Sequence, residues 1–272
     1  MRTRPNHAAG FAACVWLLII GVPLYALVNT ALQPQTTYID KGPVSVPSKV
    51  TLDNFRTVVD SGFLHYIGNT LVVAVATVAI VLLLGVPVSY AVVRGRGPLT
   101  TSVFRLFLLG LAIPSQAVII PLFLIVNDLG LYDSLWGIIL PTAAFALPVS
   151  VLVLSGGMRD ISTELYEAMA LDGASPARTL LTLVVPMARS AIATASVFTA
   201  LQAWNGFLFP LIMTQSDDTK LVTPGLYNFV SQYGANVPAL LAAVLLSAVP
   251  ILVVYLFARR ALVAGLMGAG GK

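Results

Sequence analysis

Six long stretches without a charged residue constrain this chain more than any other feature. They cover 8–39, 66–93, 106–127, 134–158, 190–216 and 221–258. A helix needs about 20 mostly apolar residues to cross the roughly 30 Å hydrocarbon core of a bilayer, and every stretch is long enough. Their Leu, Ile, Val and Ala content favours helices, and no series of alternating ten-residue segments indicates a barrel.

The composition supports the same interpretation. Hydrophobic residues make up 58% of the chain and charged residues 10%, whereas an average soluble domain has about 45–50% and about 25%. These values exclude an ordinary soluble domain and a disordered chain. The sequence predicts an all-α integral membrane protein with a single transmembrane domain, 1–272. Its six helices are expected at roughly 11–32, 67–93, 104–126, 135–157, 187–212 and 238–260.

The basic residues predict the orientation of these helices. If the N-terminus is cytoplasmic, the outside segments hold only four of the fifteen basic residues: Lys41, Lys49, Arg56 and Lys220. The inside segments hold the other eleven, which are Arg2, Arg4, Arg94, Arg96, Arg105, Arg159, Arg178, Arg189, Arg259, Arg260 and Lys272. Because cytoplasmic loops carry the excess of Lys and Arg, the sequence predicts that both termini lie inside.

Several kinds of chemistry are excluded by residues that the sequence lacks. The single Cys14 excludes an internal disulfide framework and a multi-cysteine metal site. The two histidines, His7 and His65, lie in different segments, so we expect no metal site. The net charge of +4 follows the membrane topology and does not indicate nucleic acid. The phosphate-binding motif Gly-x-x-x-x-Gly-Lys-[Ser/Thr] is absent, so we expect this chain to bind no ATP.

One cytoplasmic segment, 158–186, differs from the rest. It is long for a connection in a compact bundle. It also holds all four acidic residues assigned to the inside: Asp160, Glu164, Glu167 and Asp172. An amphipathic segment lying on the anionic inner leaflet would carry basic residues on its polar face instead.

The same segment contains signals for two short helices. Ser162 is placed to cap the first helix, and Gly173 to end it in the left-handed conformation. Ser175 is placed to cap the second, with Pro176 at its first position. Pro186 then marks the approach to the fifth membrane helix.

The first short helix offers a small, partly apolar face. Leu165, Ala168 and Met169 share one side at helical spacing. Ala168, Ala170 and Gly173 are small enough for the backbone of another protein to approach closely. A compact helix–turn–helix of this kind predicts a docking element.

At this point the sequence resembles a known family. Residues 167–174, which read Glu-Ala-Met-Ala-Leu-Asp-Gly-Ala, followed by Pro186, resemble the cytoplasmic loop of ABC importer permeases. The usual loop has Glu-Ala-Ala, three residues and Gly. The Leu-Asp-Gly-Ala-Ser variant is similar to the carbohydrate branch, which includes the maltose transporter. Further likenesses to that branch occur at 69–71, 204–205 with Pro210, 247–250 and 259–266. The chain departs from the pattern at Met169, where Ala is usual, and at Ser162, where Pro is common.

The resemblance implies a role and a set of partners. The chain would be a non-enzymatic permease subunit in a prokaryotic cytoplasmic (inner) membrane, paired with a second permease in a heterodimer. Two separate ATPase subunits would bind ATP and Mg, and an extracytoplasmic binding protein would deliver a sugar or oligosaccharide. The residues implied in ATPase coupling are Glu164, Glu167, Ala168, Met169, Ala170, Asp172, Gly173 and Pro186.

Two further groups of residues are candidates for solute contacts and partner contacts. Gln202, Trp204 and Asn205 in the fifth helix supply the amide and aromatic groups that a sugar path needs. The alternative is that these polar side chains join helices to one another. The outer loop 213–237 resembles the loop that reaches towards the binding protein, which makes Asp217, Asp218 and Tyr233 candidate contacts.

Other functions remain as alternatives. A secondary transporter or channel would commonly place ionisable residues within the membrane, and the predicted helices hold almost none in their centres. A membrane-embedded enzyme would need a cluster of His, Asp or Glu, which is missing. An ABC permease for another neutral solute, such as a polyol or glycerol derivative, is the nearer alternative.

Overall fold

The computed structural model describes residues 7–46, 49–95, 97–231 and 234–269, which are mostly helical. Two-residue antiparallel strands, β1 (Val230–Ser231) and β2 (Gly234–Ala235), form the one sheet in this part of the chain. The α-helices are α1 (His7–Ala31), α2 (Gln35–Lys41), α3 (Asp53–Asp60), α4 (Phe63–Arg94), α5 (Pro98–Gly110), α6 (Ile119–Asp128), α7 (Leu135–Arg159), α8 (Thr163–Leu171), α9 (Pro176–Thr179), α10 (Val185–Met187), α11 (Arg189–Trp204), α12 (Leu208–Met213), α13 (Val222–Gly225) and α14 (Val237–Ala269).

Among the described residues, three helices are long and apolar enough to cross a membrane: α1, α4 and α7. Two bent helix pairs, 98–128 and 176–204, raise this number to five if each pair counts as one span. The apolar stretch Val237–Val253 of α14 is shorter. The predicted fold of apolar membrane helices is confirmed at this level.

The structure differs from the predicted helix at 104–126. In its place α5 and the helical segment Ser115–Asp128 meet at an angle of 92°. Pro114 lies at the bend with extended backbone, φ −71° and ψ 130°. Proline lacks the amide hydrogen that a continuous helix requires and disfavours helical geometry in the residue before it.

The predicted helix at 187–212 is also divided. The helical segment Pro176–Met187 meets α11 at an angle of 79°, with Ala188 between them. A π-helical turn at Leu180–Val184 precedes this bend. A second break separates α11 from α12, where Asn205 caps the end of α11. Pro186 lies just before the first break and Pro210 just after the second, and neither residue has the amide hydrogen that a continuous helix uses. Helical periodicity describes the spacing of apolar residues, so it does not locate these breaks.

Contacts divide the described residues into two compact units, the first comprising 7–64 with 225–249. In this unit no residue of α1 from Gly10 to Val28 is buried, whereas Asn29, Thr30 and Ala31 at its end are buried. The segment after α1 is held by buried amides. Asn29 donates to the Pro43 and Ser45 carbonyls at 2.9 and 2.7 Å, and Asn54 donates to the Ala31 and Gln33 carbonyls at 2.8 Å.

The second unit comprises 65–224 with 250–269, and α7 is its most buried long helix. Small and polar residues let other helices approach α7 closely. Ser150 and Thr199 of α11, both fully buried, share a hydrogen bond of 3.2 Å. Gly157 lies so close to Ala191 that a Cβ atom at 157 would overlap the Ala191 methyl group.

Candidate functional site

The first helix of the helix–turn–helix predicted within 158–186 begins where the sequence predicts. Ser162 caps α8, and its hydroxyl accepts a hydrogen bond of 3.3 Å from the Glu164 amide. Glu164 lies in the first turn, where the positive end of the helix dipole favours an acidic side chain. The predicted cap is confirmed.

The turn after α8 also has the predicted conformation. Gly173 has φ +68°, in the left-handed region that glycine adopts without strain. The Gly173 amide donates to the Ala170 carbonyl at 3.1 Å, and the Ala174 amide donates to the Met169 carbonyl at 2.9 Å. Ser175 then caps α9 by accepting from the Arg178 amide, with Pro176 as the first helical residue.

Most residues implied in ATPase coupling are on the exposed side of this segment. Leu171 is 89% exposed, the highest value among the exposed large hydrophobic residues described. Leu171 lies beside the predicted set, whose exposed members are Glu164, Glu167, Ala168, Ala170, Asp172, Gly173 and Pro186, while Met169 is half-buried. A small, solvent-facing helix with acidic edges suits docking into a groove of another protein.

Tyr166, which the sequence analysis did not select, anchors α8 to the end of α4. Its side chain is 5% exposed. The ring stacks on Tyr90 with 6.4 Å between centroids and 23° between planes. The Arg94 guanidinium lies 4.1 Å from the centroid of the Tyr166 ring, within range of a cation–π interaction.

The hydroxyl of Tyr166 is buried together with its ring. Its Oη atom is buried with no hydrogen-bond partner among the described residues. Burial raises the pKa of Tyr166, although the charge of Arg94 lowers it in part. Tyr90 and Arg94 are four residues apart and share one helix face, which is the only local signal in the sequence for this contact, and it does not identify Tyr166 as the partner.

The proposed solute-path residues lie at the end of α11, in different surroundings. Gln202 and Asn205 are exposed. The Asn205 amide donates to the Leu201 carbonyl of its own helix at 2.9 Å. Trp204 is 6% exposed and packs in one apolar cluster with Ala74 and Ala203.

Trp204 also lines a cleft in the second unit, which has a volume of about 710 Å³. The cleft lies between α4, α11 and the part of α14 that begins at Pro250. Its lining is Leu71, Ala74, Val75, Val78, Ala79, Ser196, Val197, Ala200, Leu201, Trp204, Pro250, Ile251 and Leu252. Ser196 and Trp204 alone contribute polar side-chain atoms, so this cleft by itself suits apolar groups better than sugar hydroxyls.

The predicted partner contacts Asp217 and Asp218 have different environments. The Asp217 carboxylate accepts hydrogen bonds from Tyr66 at 3.0 Å and Lys220 at 2.5 Å. These bonds, that from Lys220 foremost, hold the pKa of Asp217 below its usual value. Asp218 is exposed, and its backbone carbonyl accepts from Asn69 at 2.7 Å. Tyr233 lies outside the described residues.

Asp133 organises the same loop and was missed in the sequence analysis. Its φ is +54°, the one positive value at a non-glycine residue in the described chain. One carboxylate oxygen, Oδ1, accepts from the Gln215 and Ser216 amides at 2.8 and 3.0 Å and from the hydroxyls of Ser216 and Thr219 at 3.1 and 2.6 Å. These hydrogen bonds, led by that from Gln215, hold the pKa of Asp133 far below its ordinary value.

The apolar helices define a multi-pass membrane protein with an exposed, capped helical segment between α7 and α11. The chain belongs to the family of binding-protein-dependent transport system inner membrane components, whose model matches residues 82–264.

Several named transport permeases are similar to this protein over nearly its whole length. It is 31% identical to the trehalose transport system permease SugB of Mycobacterium tuberculosis, over 97% of this chain and 98% of that protein. It is also 31% identical to the diacetylchitobiose uptake system permease NgcG of Streptomyces coelicolor, over 94% and 85%.

A solved structure has the same fold. It is a bacterial ABC transporter involved in import of the acidic polysaccharide alginate, with a TM-score of 0.79 and 19% identity over 96% of this chain and 98% of that one. The family and the named relatives together identify the chain as a permease subunit of an ABC importer.

Proposed function

We propose that this chain is one of two permease subunits in an ATP-driven importer for a neutral sugar or oligosaccharide. It acts as a single transmembrane domain with six spans and both termini in the cytoplasm. Two separate ATPase subunits bind ATP and Mg, one docking at α8 of this chain and the other on the second permease, and an extracytoplasmic binding protein delivers the solute. The chain itself performs no covalent chemistry.

The exposed docking helix is the observation that carries this proposal. α8 is capped at one end by Ser162 and closed at the other by the left-handed Gly173. Its exposed small and acidic residues suit a groove on an ATPase, and Tyr166 fixes its opposite side. Because residues 1–272 contain no phosphate-binding loop motif, ATP hydrolysis falls to another chain.

Two observations favour a neutral sugar as the solute. The relatives named for trehalose and diacetylchitobiose transport match over at least 94% of this chain. In addition, α4 and α7 carry Asp, Glu, Lys or Arg only at their last residues, Arg94 and Arg159. A path for an anionic solute would favour Arg or Lys along the helices.

The first experiment tests the orientation and uses the single native cysteine. In a Cys14→Ser background, Arg56→Cys and Leu171→Cys each introduce one exposed thiol. A membrane-impermeant maleimide should label position 56 in intact cells and position 171 only after permeabilisation. The reverse pattern would contradict the proposed orientation.

The second experiment tests the partners by crosslinking from the same Leu171→Cys variant. Leu99→Cys is the matched control, because Leu99 is 75% exposed on the proposed cytoplasmic side but outside the docking segment. A thiol-to-amine crosslinker should join position 171, but not 99, to a protein that contains a phosphate-binding loop. Crosslinks from neither position, with no ATPase in the purified complex, would favour a secondary transporter.

The third experiment addresses the solute. A binding protein that co-purifies with the complex is mixed with trehalose, diacetylchitobiose, glycerol or sorbitol, and its melting temperature is measured. Stabilisation by a disaccharide supports the proposal. Stabilisation by a polyol alone would support the alternative of a permease for another neutral solute.

A further inference from the structure

Helix α4 makes side-chain contacts at both of its ends, and these contacts suggest a mechanical role. The contacts of Asn69, Thr70, Tyr90 and Arg94 described below join residues of the second unit. At the end nearest α8, Tyr90 and Arg94 contact the ring of Tyr166. Near its start, Asn69 and Thr70 bind the loop that joins α12 to α13.

The contacts near the start of α4 hold the backbone of that loop. The Asn69 amide, which is 8% exposed, donates to the Asp218 carbonyl at 2.7 Å and to the Lys220 carbonyl at 3.0 Å. The Thr70 hydroxyl is buried and accepts from the Val222 amide at 2.9 Å. Because these bonds reach main-chain groups, a movement of α4 moves the whole loop.

The helix between the two ends is continuous. It runs from Phe63 to Arg94 and passes Pro87 without a break. Asn69 and Arg94 are 25 positions apart, which corresponds to roughly 38 Å along a helix. Val73 and Val81 are fully buried along this length, so α4 is packed against its neighbours and not free to bend independently.

We propose that α4 is a strut through which the docking of α8 and the position of loop 214–222 are coupled, with Arg94, Tyr166 and Asn69 as positioning residues. This inference rests on the proposed function, because it requires an ATPase that moves α8. A packed helix with fixed contacts at both ends transmits displacement, whereas a loosely attached helix absorbs it. Such coupling has to be shown by its loss when a contact is removed.

The experiment uses the importer purified through a tag on this chain, with ATP and vanadate as the probe. Hydrogen–deuterium exchange is measured for peptides covering 163–175 and 214–222, with and without the probe. In the unsubstituted complex both peptides should change their exchange. Arg94→Gln should leave the change at 163–175 and reduce that at 214–222 by about fivefold or more, the lower end of usual coupling between sites.

Matched variants separate coupling from general damage. Tyr166→Phe keeps the stacked ring and removes only a hydroxyl that has no hydrogen-bond partner among the described residues, so it should retain the full response. Arg105→Gln and Asn127→Ala alter exposed side chains and should also retain it. Asn69→Ala should reduce the response of 214–222 from the other end of α4, where Thr70 still binds the Val222 amide. If this variant does not fold, Arg94→Gln still decides the question.

Two results would overturn the inference. One is a full response of peptide 214–222 in the Arg94→Gln variant. Helix α7 also connects the two regions along the chain, and this result would assign the coupling to α7 instead of α4. The other is a complex whose 163–175 peptide responds while 214–222 never does. A complex without an ATPase, or with no response at 163–175, would instead contradict the proposed function.

Discussion

Substitution of Gly173 tests whether the left-handed turn after α8 is needed for docking. Gly173 has φ +68°, and a Cβ atom built there meets no other atom within 4 Å. The cost of a side chain is therefore conformational and not steric. For Ala the left-handed region costs about 1–2 kcal/mol, and a β-branched residue such as Val is more strained.

The expected effect follows from that cost. About 1–2 kcal/mol lowers the population of the native turn by a factor of about 5–30. ATPase retained by the purified permease, and ATP hydrolysis by the complex, should therefore fall in the order Gly, Asn, Ala, Val. Asn comes before Ala because Asn adopts the left-handed region more readily than most residues.

The assay is affinity purification from the membrane, with the ATPase quantified per permease chain. Gly156→Ala is the matched control, because Gly156 has an ordinary φ and also has no atom within 4 Å of its Cβ position. If Gly173→Val retained as much ATPase per permease chain as the unsubstituted protein, the reasoning would be refuted. An Asn variant as impaired as the Val variant would also refute it, since bulk against the ATPase would then be the cause.

Two further predictions concern the second unit. Asp133→Asn should destabilise loop 214–222 by about 1 kcal/mol, since solvent screening reduces the roughly 1.5–3 kcal/mol of a hydrogen bond to a charge. The folded pKa lies below the ordinary 3.8, so this contribution is present above pH 3.8 and lost as the pH falls through the lowered pKa. The difference in loop exchange between the two chains should disappear in strong acid, and a constant difference would contradict the assignment. Gly157→Ala should lower the melting temperature of the complex, because its methyl group overlaps Ala191 and overpacking costs about 1–3 kcal/mol. Gly156→Ala serves as the control, and equal melting temperatures would show that α7 and α11 separate at little cost.

The features that the sequence predicted well depend on neighbouring residues. Ser162, Gly173 and Ser175 form hydrogen bonds or turns within a few positions along the chain. Capping and left-handed turns need only these local groups. Apolar stretches likewise indicate membrane helices, because a helix needs about 20 mostly apolar residues to cross the bilayer.

The bends were less accessible to sequence analysis. Pro114 and Pro186 were both visible in the sequence, yet most prolines in membrane helices cause only a kink. Whether a proline bends a span by 92°, as at the end of α5, depends on which neighbours satisfy the freed carbonyl groups. Periodicity holds no information about those neighbours.

The sequence by itself determined an apolar, helical membrane protein and the capped segment 158–186, since composition and local hydrogen bonding specify them. Only the tertiary structure showed that Tyr166 is buried against Arg94, that Asp133 organises the loop 214–222, and that Trp204 lines an apolar cleft. Each of these contacts joins residues far apart in the chain. Their pairing depends on how the helices pack, which no local pattern encodes.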